Sequence, residues 1–342
     1  MGGGKGKKKN SAWVGKYRFL VKSWADGVKS EFFVVDLKKE MIVTKHPEAV
    51  WSGDDFESTA VLHKGILSVL NLGVINAKNV VKTPEQQCYT HSSDSNTCIS
   101  TLDLTKTPFI WSNWTPGPKM IFKRYSPYCA VLDKMIFAYR AAHSNSRNPE
   151  VYQIGGGVND NKWEETAIIP FDPAFIAGPP ISDPNNNRLI AFFHNSRSLY
   201  AYYLNKNYWE VLHQPLSGLY FFSSASAAAN QVVGDNLILY FYRDEPQIFM
   251  AYNIFTNKWL DVDWLFEFNH TQQMYLRRGT KLVHLGNDIL CLVTTPFEHH
   301  IHFFRFSVKL VQEPQLVQLT PLSYHSIFVP DVLCITNTFI PF

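Results

Sequence analysis

A Tyr–Trp signature recurs three times along this chain at a spacing near 50 residues. Tyr152 leads to Asn161-Lys162-Trp163, Tyr202 to Asn207-Tyr208-Trp209, and Tyr252 to Asn257-Lys258-Trp259. Trp163 and Trp209 are 46 residues apart, and Trp209 and Trp259 are 50 apart. A fixed period of this size means stacked supersecondary units, none of which can bury its apolar surface alone.

Each unit reads as an apolar strand, a polar loop, a second apolar strand, and a turn before Trp. One copy runs Leu237 to Tyr242, a loop Arg243 to Pro246, Ile248 to Ile254, and Trp259. Another runs Leu189 to Phe193, His194 to Ser198, Leu199 to Leu204, and Trp209. A third runs Met135 to Tyr139, Arg140 to Pro149, Val151 to Ile154, and Trp163. Weaker copies flank these. One has Tyr17 to Val21, a loop Lys22 to Ser30, and Glu31 to Leu37. The next has Ile66 to Leu70, a polar insertion from Gly73 to Thr97, Cys98 to Leu102, and Trp111. The last has Ile289 to Val293, a loop Thr294 to His299, and Ile301 to Val308, with no Trp.

A further strand precedes all but the first, near Thr59–Leu62, Tyr128–Leu132, Phe175–Ile181, Ala227–Val233 and Thr280–Leu285. The first unit lacks one, and the apolar run from Val332 to Phe339 is left over. The pattern predicts an all-β, six-bladed β-propeller over residues 13–342, whose C-terminal strand completes the first blade and removes the open edge. Continuous apolar runs fit strands buried on both faces. The Trp is a wedge between blades. The Asn two residues before it suits a left-handed turn position.

Composition narrows the function classes. Of 342 residues, 46% are hydrophobic and only 18% charged, which excludes bulk disorder. A net charge of +3 is too small to point to nucleic acid. No apolar run approaches the ~20 residues that a membrane span needs. Residues 1–12 read as a disordered basic tail, and the lysine-rich start has no apolar core of a secretory signal. The five cysteines form no CxxC pair, and thiols in a cytoplasmic or nuclear setting are the expectation. Cys129 and Cys291 sit in apolar runs and read as small core residues.

With its Tyr–Trp pairs, the strand start Gly234-Asp235-Asn236-Leu237 and the run Asn257-Lys258-Trp259, the chain resembles kelch-repeat proteins over roughly residues 13–340. It is most similar to the divergent plant kelch proteins often found behind an F-box, although no F-box is visible. The resemblance implies a kelch-type propeller that binds a partner through a loop face and the central channel. The kelch pattern closes its second strand with Gly-Gly. Here those positions hold Tyr139-Arg140, Phe193-His194 and Tyr242-Arg243.

The candidate binding residues follow from that substitution. The loops between second and third strands carry Arg140, His143 and Arg147, then His194 and Arg197, then Arg243, Asp244 and Glu245, then Glu298, His299 and His300. Such a rim suits an acidic peptide or an anionic small molecule. Exposed loops are also polar for no functional reason. His300 and His302 have the spacing that places two imidazoles on one strand face, a weak metal candidate with no third ligand in view. The paired acids Asp54-Asp55 and Glu164-Glu165 are adjacent, so their side chains diverge. No nucleophile elbow, P-loop or dinucleotide motif is present.

The expected function is protein interaction by a monomer, without a cofactor, through a partner of acidic character. A small-molecule enzyme at the channel mouth, like the specialised kelch lyases, is the alternative. A lectin that stacks sugars on the repeat aromatics is a third reading, although the wedge role predicts that those aromatics are buried.

Overall fold

The computed structural model of the chain describes residues 18–25, 29–46, 49–51, 59–70, 74–76, 99–105, 115–122, 124, 127–139, 148–154, 162–170, 180–193, 198–213, 229–233, 237–242, 248–256, 258–264, 281–294, 300–313, 315–329 and 334–341. Every element in them is a strand, apart from one 3-10 turn at Pro184–Asn186.

In chain order the strands are β1 (Arg18–Ala25), β2 (Lys29–Asp36), β3 (Met41–His46) and β4 (Ala49–Trp51). Then come β5 (Thr59–His63), β6 (Ile66–Leu70), β7 (Val74–Asn76), β8 (Ile99–Asp103) and β9 (Thr115–Pro116). The next are β10 (Tyr128–Leu132), β11 (Met135–Tyr139), β12 (Glu150–Gln153) and β13 (Trp163–Glu165). They are followed by β14 (Ile181–Asp183), β15 (Arg188–Phe193), β16 (Ser198–Tyr203) and β17 (Tyr208–His213). After these run β18 (Ala229–Val233), β19 (Leu237–Tyr242), β20 (Ile248–Asn253) and β21 (Lys258–Trp264). The last are β22 (Lys281–Gly286), β23 (Ile289–Thr294), β24 (His300–Gln312), β25 (Gln315–Phe328) and β26 (Cys334–Pro341).

Pairing gathers them into four-stranded antiparallel units. The orders are β26-β1-β2-β3, β5-β6-β8-β9, β10-β11-β12-β13 and β14-β15-β16-β17. The units β18-β19-β20-β21 and β22-β23-β24-β25 are fused into one eight-stranded sheet through β21 and β25. The innermost strands touch in a closed cycle: β26 meets β5, β5 meets β10, β10 meets β14, β14 meets β18, β18 meets β22, and β22 meets β26. Units radiating from a ring of first strands make a β-propeller. The C-terminal strand closes it, with Leu20 opposite Ile340 and Trp24 opposite Cys334.

The cores lie between neighbouring units, as expected where no unit buries both faces by itself. Leu70, Ile99 and Met120 of one unit pack on Ile136, Tyr152 and Trp163 of the next. Phe137 and Val151 meet Leu189 and Tyr202. Ile190 and Leu199 meet Ile238 and Tyr252. Phe249 and Leu239 meet Leu292 and Phe306. Cys291 and Phe303 meet Phe19 and Phe33 across the closure.

The Trp wedges work as the sequence predicts. Trp163 is buried in such a seam and its ring lies 5.4 Å from that of Tyr152. Its Nε1–H donates to the Pro118 carbonyl at 3.1 Å, in the chain leaving the preceding unit. Trp209 repeats this with the Ala167 carbonyl at 3.2 Å. Asn207 has φ 50, in the left-handed region, and its Oδ1 accepts from Ala167 N and Tyr202 OH. Asn161 and Asn257 lie outside the described residues. Cys129 and Cys291 are buried free thiols, and burial pushes both far above the usual thiol range.

Three features differ from the sequence reading. The predicted loop Lys22–Ser30 is mostly strand, since pairing continues through Lys22–Phe32 to Ala25–Lys29. Val74–Asn76, in the predicted insertion, pairs with Ala49–Trp51. The stretch 315–328 carries no repeat signature in the sequence, yet it is the longest strand among the described residues. It pairs antiparallel with β24 along its length, and parallel with β21 from Leu316 to Leu319. Where the last unit lacks Trp, this long hairpin takes over the contact with its neighbour.

Candidate functional site

The antiparallel register of β24 and β25 builds the best-defined polar and aromatic surface. His300 faces Phe328, His302 faces Ser326, and Phe304 faces Tyr324. Directly opposed residues share a face, and alternate residues along each strand do too. Six side chains therefore line one side of the hairpin. The rings run as a ladder: Phe328 to His300 at 5.3 Å, His300 to His302 at 6.2 Å, His302 stacked on Tyr324 at 5.8 Å, and Tyr324 to Phe304 at 4.8 Å.

Exposure grades along the ladder. Phe304 and His302 are buried, while Tyr324 is 43% and Phe328 56% exposed. His302 Nδ1 shares a hydrogen bond with Tyr324 OH at 2.6 Å, and His300 Nδ1 shares one with Ser326 Oγ at 3.0 Å. Burial pushes His302 down to about 4, and the neighbouring His300 adds to the shift. The His302 imidazole is therefore neutral at neutral pH and serves as an uncharged hydrogen-bonding base to the tyrosine.

The sequence placed His300 and His302 on one face, and they are there. Among the described residues no group of three His, Cys, Asp or Glu side chains is arranged to hold a metal ion. One nitrogen of each ring is also engaged by a hydroxyl. The other candidates, Arg140, His143, Arg147, His194, Arg197, Arg243, Asp244, Glu298 and His299, lie outside the described residues. The two-acid pair Glu164-Glu165 diverges as expected: Glu164 pairs with Lys162, and Glu165 accepts from Asn148 Nδ2. Asp54 and Asp55 lie outside the described residues. The repeat aromatics Tyr152, Tyr202, Tyr252 and Trp163 are buried in the seams, which removes them as a sugar-stacking surface.

No protein-family model matches the chain, and no curated protein matches it. Among solved structures it is similar to Kluyveromyces lactis Hsv2, at 8% identity over 86% of this chain and 79% of that one, with a TM-score of 0.45. It is also similar to KlHsv2 with loop 6CD replaced by a Gly-Ser linker, at 10% identity over 86% of this chain and 78% of that one, with a TM-score of 0.44. The propeller assignment rests on strand pairing and on the ring of first strands. No helix among the described residues is long and apolar enough to cross a membrane.

Sequence reasoning missed Tyr324, Ser326 and Phe328. Their alternation with His325 and Ile327 is a half-buried strand pattern, and it was the available signal. It also missed Arg124 and Glu150, an ion pair sealed in the interior. Arg124 Nε donates to Glu150 Oε1 at 2.6 Å and Ile121 N donates to Oε2 at 2.7 Å, which pins the connection between β9 and β10.

Proposed function

We propose that this chain is a six-bladed, kelch-type propeller that serves as a protein-interaction module. The reading is supported by the Tyr–Trp period, by the four-stranded units and by the ring of first strands. The observation that carries it is the pair of exposed aromatics, Tyr324 and Phe328, beside His300. Aromatic anchors ringed by hydrogen-bonding side chains characterise the centre of a protein interface. Glu298 and His299 directly precede His300 in the chain, so the anchors adjoin one of the predicted binding loops. The four arginines Arg140, Arg147, Arg197 and Arg243 outnumber the three acids Asp244, Glu245 and Glu298 in those loops, and His143 and His194 add hydrogen-bonding groups. The favoured partner is thus a protein that presents an acidic segment. The proposed setting is the cytoplasm or nucleus, with the chain acting as a monomer.

Affinity capture from native extract tests this. Wild-type chain is compared with R140A/R197A/R243A and with F328S, and both retained proteins and metabolites are identified. A protein held by wild type and lost from both variants is the expected result. Recovery of a small molecule with no protein partner would contradict it.

A further inference from the structure

The opposite face of the same hairpin carries a different arrangement. Ser323 and His325 alternate along β25, so both point away from Tyr324 and toward the first unit. His325 Nε2 lies 3.0 Å from Ser323 Oγ. His325 Nδ1 lies 2.9 Å from Glu40 Oε1, a carboxylate from the turn between β2 and β3. Arg305, opposite Ser323 on β24, places Nη1 3.4 Å from the same Oγ. Glu40 has φ 53, the left-handed conformation that Asn207 adopts in the corresponding turn of another unit. Asparagine tolerates that backbone far better than glutamate, so the residue chosen here holds a carboxylate against His325 at some conformational cost.

Proton bookkeeping gives the chain of contacts a direction. Ionised Glu40 only accepts, so His325 Nδ1 carries its hydrogen and donates to it. His325 Nε2 is then the acceptor nitrogen. Arg305 only donates, so it occupies a lone pair of Ser323 Oγ and leaves the hydroxyl proton to point at Nε2. Nucleophile, base and orienting acid stand in the order and at the distances of a serine-hydrolase triad, which is recognised by geometry rather than by sequence position. His325 is buried and Ser323 is half-buried, so the base is shielded while the nucleophile keeps contact with solvent.

We propose that Ser323, His325 and Glu40 form a nucleophilic-serine site that takes activated esters. Ser323 Oγ bonds to the acyl carbon while its proton passes to His325 Nε2. The bond to the leaving oxygen breaks, and His325 returns the proton to that oxygen. Water then attacks the acyl carbon and gives a proton to His325. The acid departs as Ser323 Oγ recovers its hydrogen. Glu40 is a positioning residue that fixes the imidazole tautomer. Arg305 donates to Ser323 Oγ and orients the hydroxyl toward His325.

The test treats the full chain with a fluorophosphonate probe, in which Ser323 Oγ bonds to phosphorus and fluoride leaves. One probe per chain in the peptide holding Ser323 is expected, with none there in S323A. H325Q slows labelling by at least about a hundredfold. E40Q slows it by about tenfold, and E40D recovers part of that loss, which a purely structural contact would not do. Thermal unfolding of each variant shows whether it is folded, and p-nitrophenyl acetate hydrolysis gives a second readout. If H325Q does not fold, S323A against wild type decides. An unlabelled Ser323 in folded wild type overturns the proposal, and so does equal labelling in folded H325Q. Neither result bears on partner binding through Tyr324 and Phe328.

Discussion

Glu150 and Arg124 are 0% and 1% exposed, and a pair so placed is held by mutual satisfaction rather than by solvent. Burial raises Glu150 above the usual carboxylate range, opposed by the Arg124 charge and by hydrogen bonds from Arg124 and the 121–122 backbone. Removing one partner strands the other charge. E150A is expected to destabilise the chain by about 3–5 kcal/mol in urea unfolding, whereas R124M/E150L together costs less, since it strands no charge although Ile121 N and the Asn148 carbonyl still lose their bonds to the pair. His302 gives the residue-scale pH dependence. Its folded value is depressed from 6.5 to about 4, so between those limits the unfolded chain binds more protons than the folded one. Stability therefore falls as pH drops through that window, by up to about 3 kcal/mol. H302N should flatten the slope between pH 7 and 4 in denaturation midpoints. The histidine pair was legible from its HxH spacing. The ion pair was not, because Arg124 lies in an irregular connection 26 residues before Glu150, and sequence carries no trace of which charges meet in the interior.

At the scale of elements, Trp163 and Trp209 each join a unit to the one before it through one apolar face and one N–H. W163A opens a cavity in the seam with Leu70 and Ile136, and a loss of about 3–5 kcal/mol is expected in chemical denaturation. W163F keeps much of the packing and forfeits the bond to Pro118, with a smaller loss of about 1 kcal/mol. N207A both strains the left-handed turn and orphans Ala167 N, while N207G relieves the strain alone. The order of stability should be wild type, N207G, N207A. Wedges and turns were readable because they repeat: Tyr202 and Trp209 recur in register with Tyr252 and Trp259. β25 was opaque for the opposite reason. It carries no Tyr–Trp signature, contains Pro321, and gains its place from pairing with β24 and, in parallel, with β21, whose paired residues lie more than 50 positions away.

For the whole molecule, the closure of the ring governs everything else. The leftover run near the C-terminus and the missing first strand implied it, and Cys334–Pro341 does pair with β1. The same closure brings β3 against β25 and sets Glu40 beside His325, which no local pattern foreshadowed. A propeller left open would expose the edge of β1, where Phe19 and Val21 are buried. The most direct test is hydrogen-exchange mass spectrometry of the intact chain at neutral pH. The account predicts that amides of 334–341 are protected and exchange in concert with those of 18–36, as one cooperative unit. Exchange of 334–341 at unfolded-chain rates, while 18–36 stays protected, would contradict it.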